Sequence, residues 1–235
     1  MKEEKMMKIM GLQKLTLLDY PEKIACTVFL GGCNFRCPFC HNASLVLDGR
    51  ENGDVTEEEF FSHLEARRGR LFGVCVSGGE PTLHRELPEF LRKIKDMGYA
   101  VKLDTNGYRP EVLKSLIGAG LVDYVAMDIK NSLEKYGETA GIPNMDVAPI
   151  RESAEFLMSG AVEFEFRTTV VRELHSAENM RAIGEWLRGD EKFYLQKFVD
   201  SGDIIAEGLS AYSDGEMAAL LSELKKYIPR AEVRG

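Results

Sequence analysis

The stretch Thr27-Val28-Phe29-Leu30-Gly31-Gly32-Cys33-Asn34-Phe35-Arg36-Cys37-Pro38-Phe39-Cys40-His41-Asn42 decides how the chain is read. Its first residues continue an apolar, partly β-branched run that begins at Ile24, the pattern of a buried strand. Two glycines end the run, and three cysteines follow with the spacing C-x3-C-x2-C. A strand that empties into such a loop places the cysteines at its carboxyl end. In parallel α/β folds that is where ligands bind.

No fourth cysteine lies near the loop. A structural zinc or an inert iron–sulfur site usually closes its shell with four protein ligands. Three thiolates on a four-iron cluster leave one iron open to a ligand that is not protein, so the loop reads as a catalytic centre. Zinc is disfavoured because His41 directly follows Cys40, closer than zinc-ligand spacings allow. A disulfide is disfavoured by the uneven cysteine count and the lack of a secretory pattern. Cys26 and Cys75 lie inside the apolar runs 24–30 and 71–76 and read as small buried hydrophobes.

Outward from the loop, strands and helices alternate. Strands are expected at 24–30, 73–77, 99–104, 122–128, 161–168 and 192–199. Helices are expected at 56–68, where Thr56 and Glu59 form a capping box, and at 85–97, 110–117, 146–159, 176–187 and 213–227. Glycines at Gly98, Gly118 and Gly160 punctuate three of them. Alternation at this spacing implies parallel strands with right-handed crossovers. Six units are too few for a closed eight-stranded barrel, so the expected fold is an open (β/α)6 partial TIM barrel, with a short N-terminal strand or hairpin over 12–19. A flavodoxin-like doubly wound sheet is the alternative. The chain is expected to be one domain over 1–235: an N-terminal extension (1–22), the partial barrel (23–200) and a divergent C-terminal helical segment (201–235).

A chain of 235 residues with 44% hydrophobic content can bury one sizeable core. No apolar run approaches the roughly 20 residues that cross a bilayer, so no membrane partner is expected. Residues 1–10 are charged and methionine-rich rather than signal-like, which points to the cytoplasm. A net charge of −8 argues against a broad nucleic-acid footprint.

Every expected strand ends in polar or glycine-rich sequence. After the cysteine loop come Ser77-Gly78-Gly79-Glu80-Pro81, Asp104-Thr105-Asn106-Gly107, Asp128-Ile129-Lys130, Arg167-Thr168-Thr169 and Gln196-Lys197. Any one could be a solvated turn. Six aimed at one rim are better explained by a single active site. Gly78 and Gly79 let backbone approach a ligand closely. Lys130 and Arg167 are candidates for a ligand carboxylate, which suits the arginine fork. His63, His84 and His175 read as surface or packing residues, and Glu57-Glu58-Glu59 as a first helical turn favoured by the dipole.

The cysteine spacing followed by His41-Asn42 resembles the cluster motif of the radical S-adenosylmethionine enzymes. Residues 11–42, with Leu18-Asp19-Tyr20-Pro21, resemble a narrower group, the activases of glycyl radical enzymes, and in particular those assigned to anaerobic ribonucleoside-triphosphate reductase. The resemblance covers most of the chain and fades after about Asp200. It implies a [4Fe–4S] cluster on Cys33, Cys37 and Cys40, with S-adenosylmethionine on the fourth iron. An electron then cleaves the sulfonium to methionine and a 5′-deoxyadenosyl radical, which takes a glycine Cα hydrogen from a partner enzyme. Gly78 and Gly79, by carbonyls, and Glu80, by its carboxylate, would hold the methionyl amino group. Asn42, Lys130 and Arg167 match further cofactor contacts in pyruvate formate-lyase activase. Asp104, Thr105, the Met127 carbonyl and Asp128 match a monovalent-cation site. A reduced flavodoxin or ferredoxin would supply the electron. Many related activases carry an insertion with eight more cysteines. Here only two are spare and the 43–55 loop is too short, so a minimal one-cluster, oxygen-sensitive enzyme is expected. Two other readings stay open: a cyclase or mutase on a small molecule, like the deazaguanine-forming enzyme, and an iron–sulfur electron carrier.

Overall fold

A computed structural model of the chain describes residues 6–47 and 53–234. Parts of the 1–10 segment and of the 43–55 loop, both interpreted above, therefore lie outside the described residues. The fold is built on one eight-stranded sheet: β1 (Ile9–Thr16), β2 (Ala25–Leu30), β3 (Gly73–Gly78), β4 (Ala100–Thr105), β5 (Tyr124–Asp128), β6 (Glu163–Val170), β7 (Phe193–Lys197) and β8 (Glu232–Arg234). The strands lie in sequence order. β1 pairs antiparallel with β2, and every later neighbour is parallel. A doubly wound sheet reverses its strand order at a switch point. This one winds in a single direction, as a partial barrel does, which settles the two alternatives for the sheet.

The helices are α1 (Ala43–Leu47), α2 (Glu57–Ala66), α3 (Leu87–Asp96), α4 (Pro110–Gly118), α5 (Tyr136–Ala140), α6 (Ala148–Met158), α7 (Ala177–Trp186) and α8 (Asp214–Lys225). Thr56 and Glu59 form the expected capping box, and Ser176 with Asn179 and Ser213 with Glu216 form two more. Each box satisfies first-turn N–H groups that have no partner within the helix.

Strand residues alternate between two environments. Cys26, Val28, Leu30, Val74, Val76, Val101, Leu103, Val125 and Met127 join one apolar core beneath the helices. Their alternates Thr27, Cys75, Lys102, Asp104, Glu165 and Arg167 face the other way, and most of them are polar. At the strand N-termini this inner face is stoppered by Tyr20, which packs with Ala25 and Tyr124. Gly73 makes room for it, since a Cβ there would stand 2.8 Å from the Tyr20 ring.

Three differences from the expected layout have local causes. The N-terminal strand begins at Ile9 and stops at Thr16, so residues 17–20 form a bend rather than more strand. Helices α1 and α5 are five residues each, too short to show a period. Residues 201–235, expected to be helical, contain α8 and also β8, a seventh parallel strand that pairs with β7. Among the described residues no helix is long and apolar enough to cross a membrane.

Candidate active site

A cavity of about 460 Å³ opens at the carboxyl ends of the parallel strands. Cys33, Cys37 and Cys40 line it together, and none of them is in a disulfide. The loop that carries them is tied down on several sides. Gly32 N–H donates to the Leu45 carbonyl (3.0 Å), Arg36 N–H to Ala140 (2.9 Å) and Cys40 N–H to Cys37 (3.0 Å). The Arg36 guanidinium donates to the Cys33 and Phe35 carbonyls, both at 2.7 Å. Residues 198–213, the irregular connection between β7 and α8, cross the outside of the loop. There Ala206 N–H donates to the Pro38 carbonyl (2.9 Å), and Asp203 accepts from Ser44 N–H (3.1 Å) and Oγ (2.7 Å).

Burial pushes the Cys33 thiol up to about 12 and the Cys37 thiol up to about 11, so a metal must displace their protons. Among the described residues no three His, Cys, Asp or Glu side chains are arranged around a single metal ion. Three soft sulfur donors spread along one cavity-lining loop fit a polynuclear iron–sulfur cluster instead.

The glycine pair is required by packing as well as by any ligand. Gly79 N–H donates to the Leu30 carbonyl (2.9 Å) and Glu80 N–H to the Gly32 carbonyl (2.8 Å). A Cβ on Gly79 would lie 1.9 Å from that Gly32 oxygen. The end of β3 is thus laid directly on the root of the cysteine loop. Asn42 Nδ2 donates to the Gly78 carbonyl (3.3 Å), and Asn42, Gly78 and Gly79 all line the cavity.

Glu80 does not line it. The Glu80 side chain is fully buried, and its carboxylate accepts from Thr82 N–H (3.0 Å) and hydroxyl, Thr105 Oγ1 (2.8 Å) and Asn106 N–H (2.6 Å). Burial raises its pKa against the pull of those donors. The carboxylate therefore stitches the β3 loop to the β4 loop.

Asp104, Asp128, Lys130 and Arg167 share the cavity wall. Arg167 lies between the two carboxylates, with Nε 3.0 Å from Asp128 Oδ1 and Nη1 3.4 Å from Asp104 Oδ2. Lys130 Nζ donates to Asp128 Oδ2 (3.0 Å) and sits 5.9 Å from the Phe39 ring centre. Lys102 donates to Asp104 from below and also approaches Cys75 Sγ (3.8 Å). Burial alone would raise the Asp128 carboxyl, but Lys130 and Arg167 hold it down at about 2. Burial acts the same way on Asp104, and Arg167 and Lys102 outweigh it. The chain's own cations occupy the Asp104 and Asp128 oxygens that the resemblance gives to a monovalent cation. Lys130 and Arg167 present the cationic donors on this wall that a ligand carboxylate could meet.

Lys102 was not read from the sequence, and Asn106 only as part of a polar strand end. Lys102 is 1% exposed, yet a lysine in a strand gives no sign of which face it takes. Asn106 is 6% exposed and reaches the cysteine loop. His84, expected to be a surface or packing group, contacts the Gly31 carbonyl through Nε2 (2.9 Å). His175 is a packing residue, buried with Nε2 2.8 Å from the Lys130 carbonyl. His41 lines the cavity beside Phe198, ring centres 5.6 Å apart.

The sequence pattern of the Radical SAM superfamily matches residues 27–175, from within β2 to just before α7. A Methanocaldococcus jannaschii protein assigned as a glycyl-radical enzyme activating enzyme is 33% identical, over 96% of this chain and 95% of its own length. The 7-carboxy-7-deazaguanine synthase of Koribacter versatilis is 30% identical over 65% of this chain and 63% of that protein. Among solved structures, a domain of a pyruvate-formate lyase-activating enzyme from Bacteroides vulgatus superposes with a TM-score of 0.56 at 18% identity, covering 70% of this chain and 99% of that one. With three free cysteines on one cavity-lining loop at the end of β2, and a matching pattern over most of the barrel, the chain belongs to the Radical SAM superfamily.

Proposed function

We propose that the chain is an oxygen-sensitive activase that abstracts a hydrogen atom from a glycine Cα of a partner glycyl radical enzyme, anaerobic ribonucleotide reductase being the leading candidate. The observation that carries this reading is the 33% identity running through 96% of the chain to an assigned glycyl-radical enzyme activating enzyme. Enzymes of this superfamily use a [4Fe–4S] cluster with S-adenosylmethionine, which together supply a 5′-deoxyadenosyl radical.

This chain's residues would act around that chemistry as follows. Cys33, Cys37 and Cys40, which line the cavity together, would hold the cluster. Gly78 and Gly79 offer backbone to the methionyl amino group, and Asn42 fixes the Gly78 carbonyl. Arg167 and Lys130, held in place by Asp104 and Asp128, attract the methionyl carboxylate. The buried walls keep water and stray hydrogen donors from the reacting centre. No side chain needs to act as a general base, because a hydrogen atom rather than a proton is removed. A reduced flavodoxin or ferredoxin is the proposed electron source.

The partial match to a deazaguanine synthase supports a second reading, a cyclase or mutase acting on a small molecule. One experiment separates them. The reconstituted enzyme is incubated anaerobically with reductant, S-adenosylmethionine and a candidate glycyl radical enzyme, and read by electron paramagnetic resonance. A glycine-centred doublet is expected. Its absence with every candidate, together with turnover of a pterin-like molecule, would replace the activase with the cyclase.

A further inference from the structure

Between the β4 loop and the cysteine loop a chain of hydrogen bonds runs from Glu80 through Asn106 to Cys33. Asn106 N–H donates to Glu80 Oε2 (2.6 Å). The Asn106 side-chain oxygen accepts from Tyr108 N–H (3.0 Å). That donor fixes the amide's orientation, since only the oxygen can accept a backbone N–H. The Asn106 NH2 group must then point the other way. There it donates to Asn34 Oδ1 (2.8 Å) and faces Cys33 Sγ at 3.9 Å. Cys33 Sγ also receives Phe35 N–H at 3.3 Å.

In the free chain the Cys33 thiol can itself donate, toward Asn34 Oδ1 at 3.9 Å. Metal binding removes that proton, and a thiolate only accepts. The Asn106 N–H is then a donor aimed at a sulfur that carries cluster charge. Asn106 lines the cavity but is only 6% exposed, and Glu80 behind it is wholly buried, so the amide is held on its protein side by fixed partners rather than by bulk water. Donors to the sulfurs stabilise added negative charge, and reduction of a cluster adds an electron.

We propose that Asn106 is a positioning residue for the cluster-bearing loop, that its side-chain N–H to Cys33 raises the cluster's reduction potential, and that Glu80 serves this chain by holding Asn106. The inference rests on the cluster assigned above. It does not depend on which substrate the enzyme takes.

The test is a redox titration of the reconstituted protein, followed by electron paramagnetic resonance, without substrate or partner. Asn106→Leu removes the donor. Its midpoint should move to a more negative potential at unchanged iron content, by a roughly tenfold shift of the redox equilibrium, about 59 mV for one electron. Asn106→Asp is isosteric and carries the test if Leu prevents cluster loading. Losing the donor and gaining a charge, it should shift at least as far in the same direction. Glu80→Gln should give a smaller negative shift. A midpoint equal to wild type in a fully loaded Asn106 variant would overturn the proposal, as would a positive shift. Failure of the activase reading would show instead as a missing glycine doublet, with these midpoints unaffected.

Discussion

Arg234 clasps Glu165 with two parallel hydrogen bonds, Nη1 to Oε1 at 2.9 Å and Nη2 to Oε2 at 3.1 Å. Glu165 is fully buried on the inner face of β6, where Tyr124 Oη also donates to it (3.1 Å). The guanidinium lies 3.6 Å from the Tyr194 ring centre. β8 is three residues long, too short to hold itself to the sheet by its ladder alone. We expect Arg234→Ala to lower unfolding free energy by about 2–3 kcal/mol, less than for a wholly enclosed pair because the arginine keeps some solvent. Arg234→Lys should recover less than half, since an ammonium cannot fork across both oxygens. Urea melts at neutral pH check this. A loss under about 0.5 kcal/mol would mean the pair is only a surface contact.

The five cysteines should divide into two classes. Alanine at Cys33, Cys37 or Cys40 is expected to abolish the cluster's absorbance after reconstitution, together with cleavage of S-adenosylmethionine. Alanine at Cys26 or Cys75, both fully buried in strands, should leave the cluster intact and cost about 1–3 kcal/mol of packing. If loss of Cys26 removed iron, the assignment of the ligands would be wrong.

Arg167→Ala tests cofactor capture. The carboxylates it bridges keep Lys102 and Lys130 as partners, so the wall should survive. Binding of S-adenosylmethionine should weaken by roughly 10- to 100-fold, the worth of one charge-assisted contact. Isothermal titration of the loaded protein measures it, with iron content as the control. An unchanged dissociation constant would leave Arg167 as a strut between Asp104 and Asp128.

Asp190 offers a pH test far from the cluster. Its Oδ1 accepts Lys192 N–H (3.3 Å), but Oδ2 is buried without a partner. Burial pushes the carboxyl up to about 6 from its ordinary 3.8. A raised folded pKa means stability is full below the unfolded value and is lost as pH rises through the folded one. Asp190→Asn should therefore stabilise the protein at pH 8, by up to about 3 kcal/mol, with roughly half of that gain gone by pH 5. Denaturant midpoints across this range would show it. A gain independent of pH would place the effect elsewhere.

The legibility of this chain follows from how far each feature depends on distant parts of it. β2 to β5 were readable because each is an apolar run closed by glycine or polar sequence. β8 was not, because what holds Glu232–Arg234 in the sheet is the Arg234 contact with a glutamate 69 positions earlier. The cysteines stood out because three at that spacing have few other uses. Lys102, Asn106 and Asp203 are common residue types, and only strand register for the first and tertiary placement for the two loop residues gives them meaning. Lys102 matters because pairing sets it opposite Cys75 and alternation puts Asp104 on the same face. The family resemblance gave Glu80 a place on the methionyl amino group. Only the tertiary placement of Thr105 and Asn106 turns it inward.

The clasp between Ser44 and Asp203 joins residues 159 positions apart. On a ribosome adding about 5–20 residues per second, the cysteine loop emerges some 8–30 s before the segment that covers it. During that interval the backbone of the cysteine loop lacks its outer tethers at Pro38 and Ser44. Late closure by Asp203 thus means that the cysteine loop gains its outer tether only after most of the barrel has been synthesised.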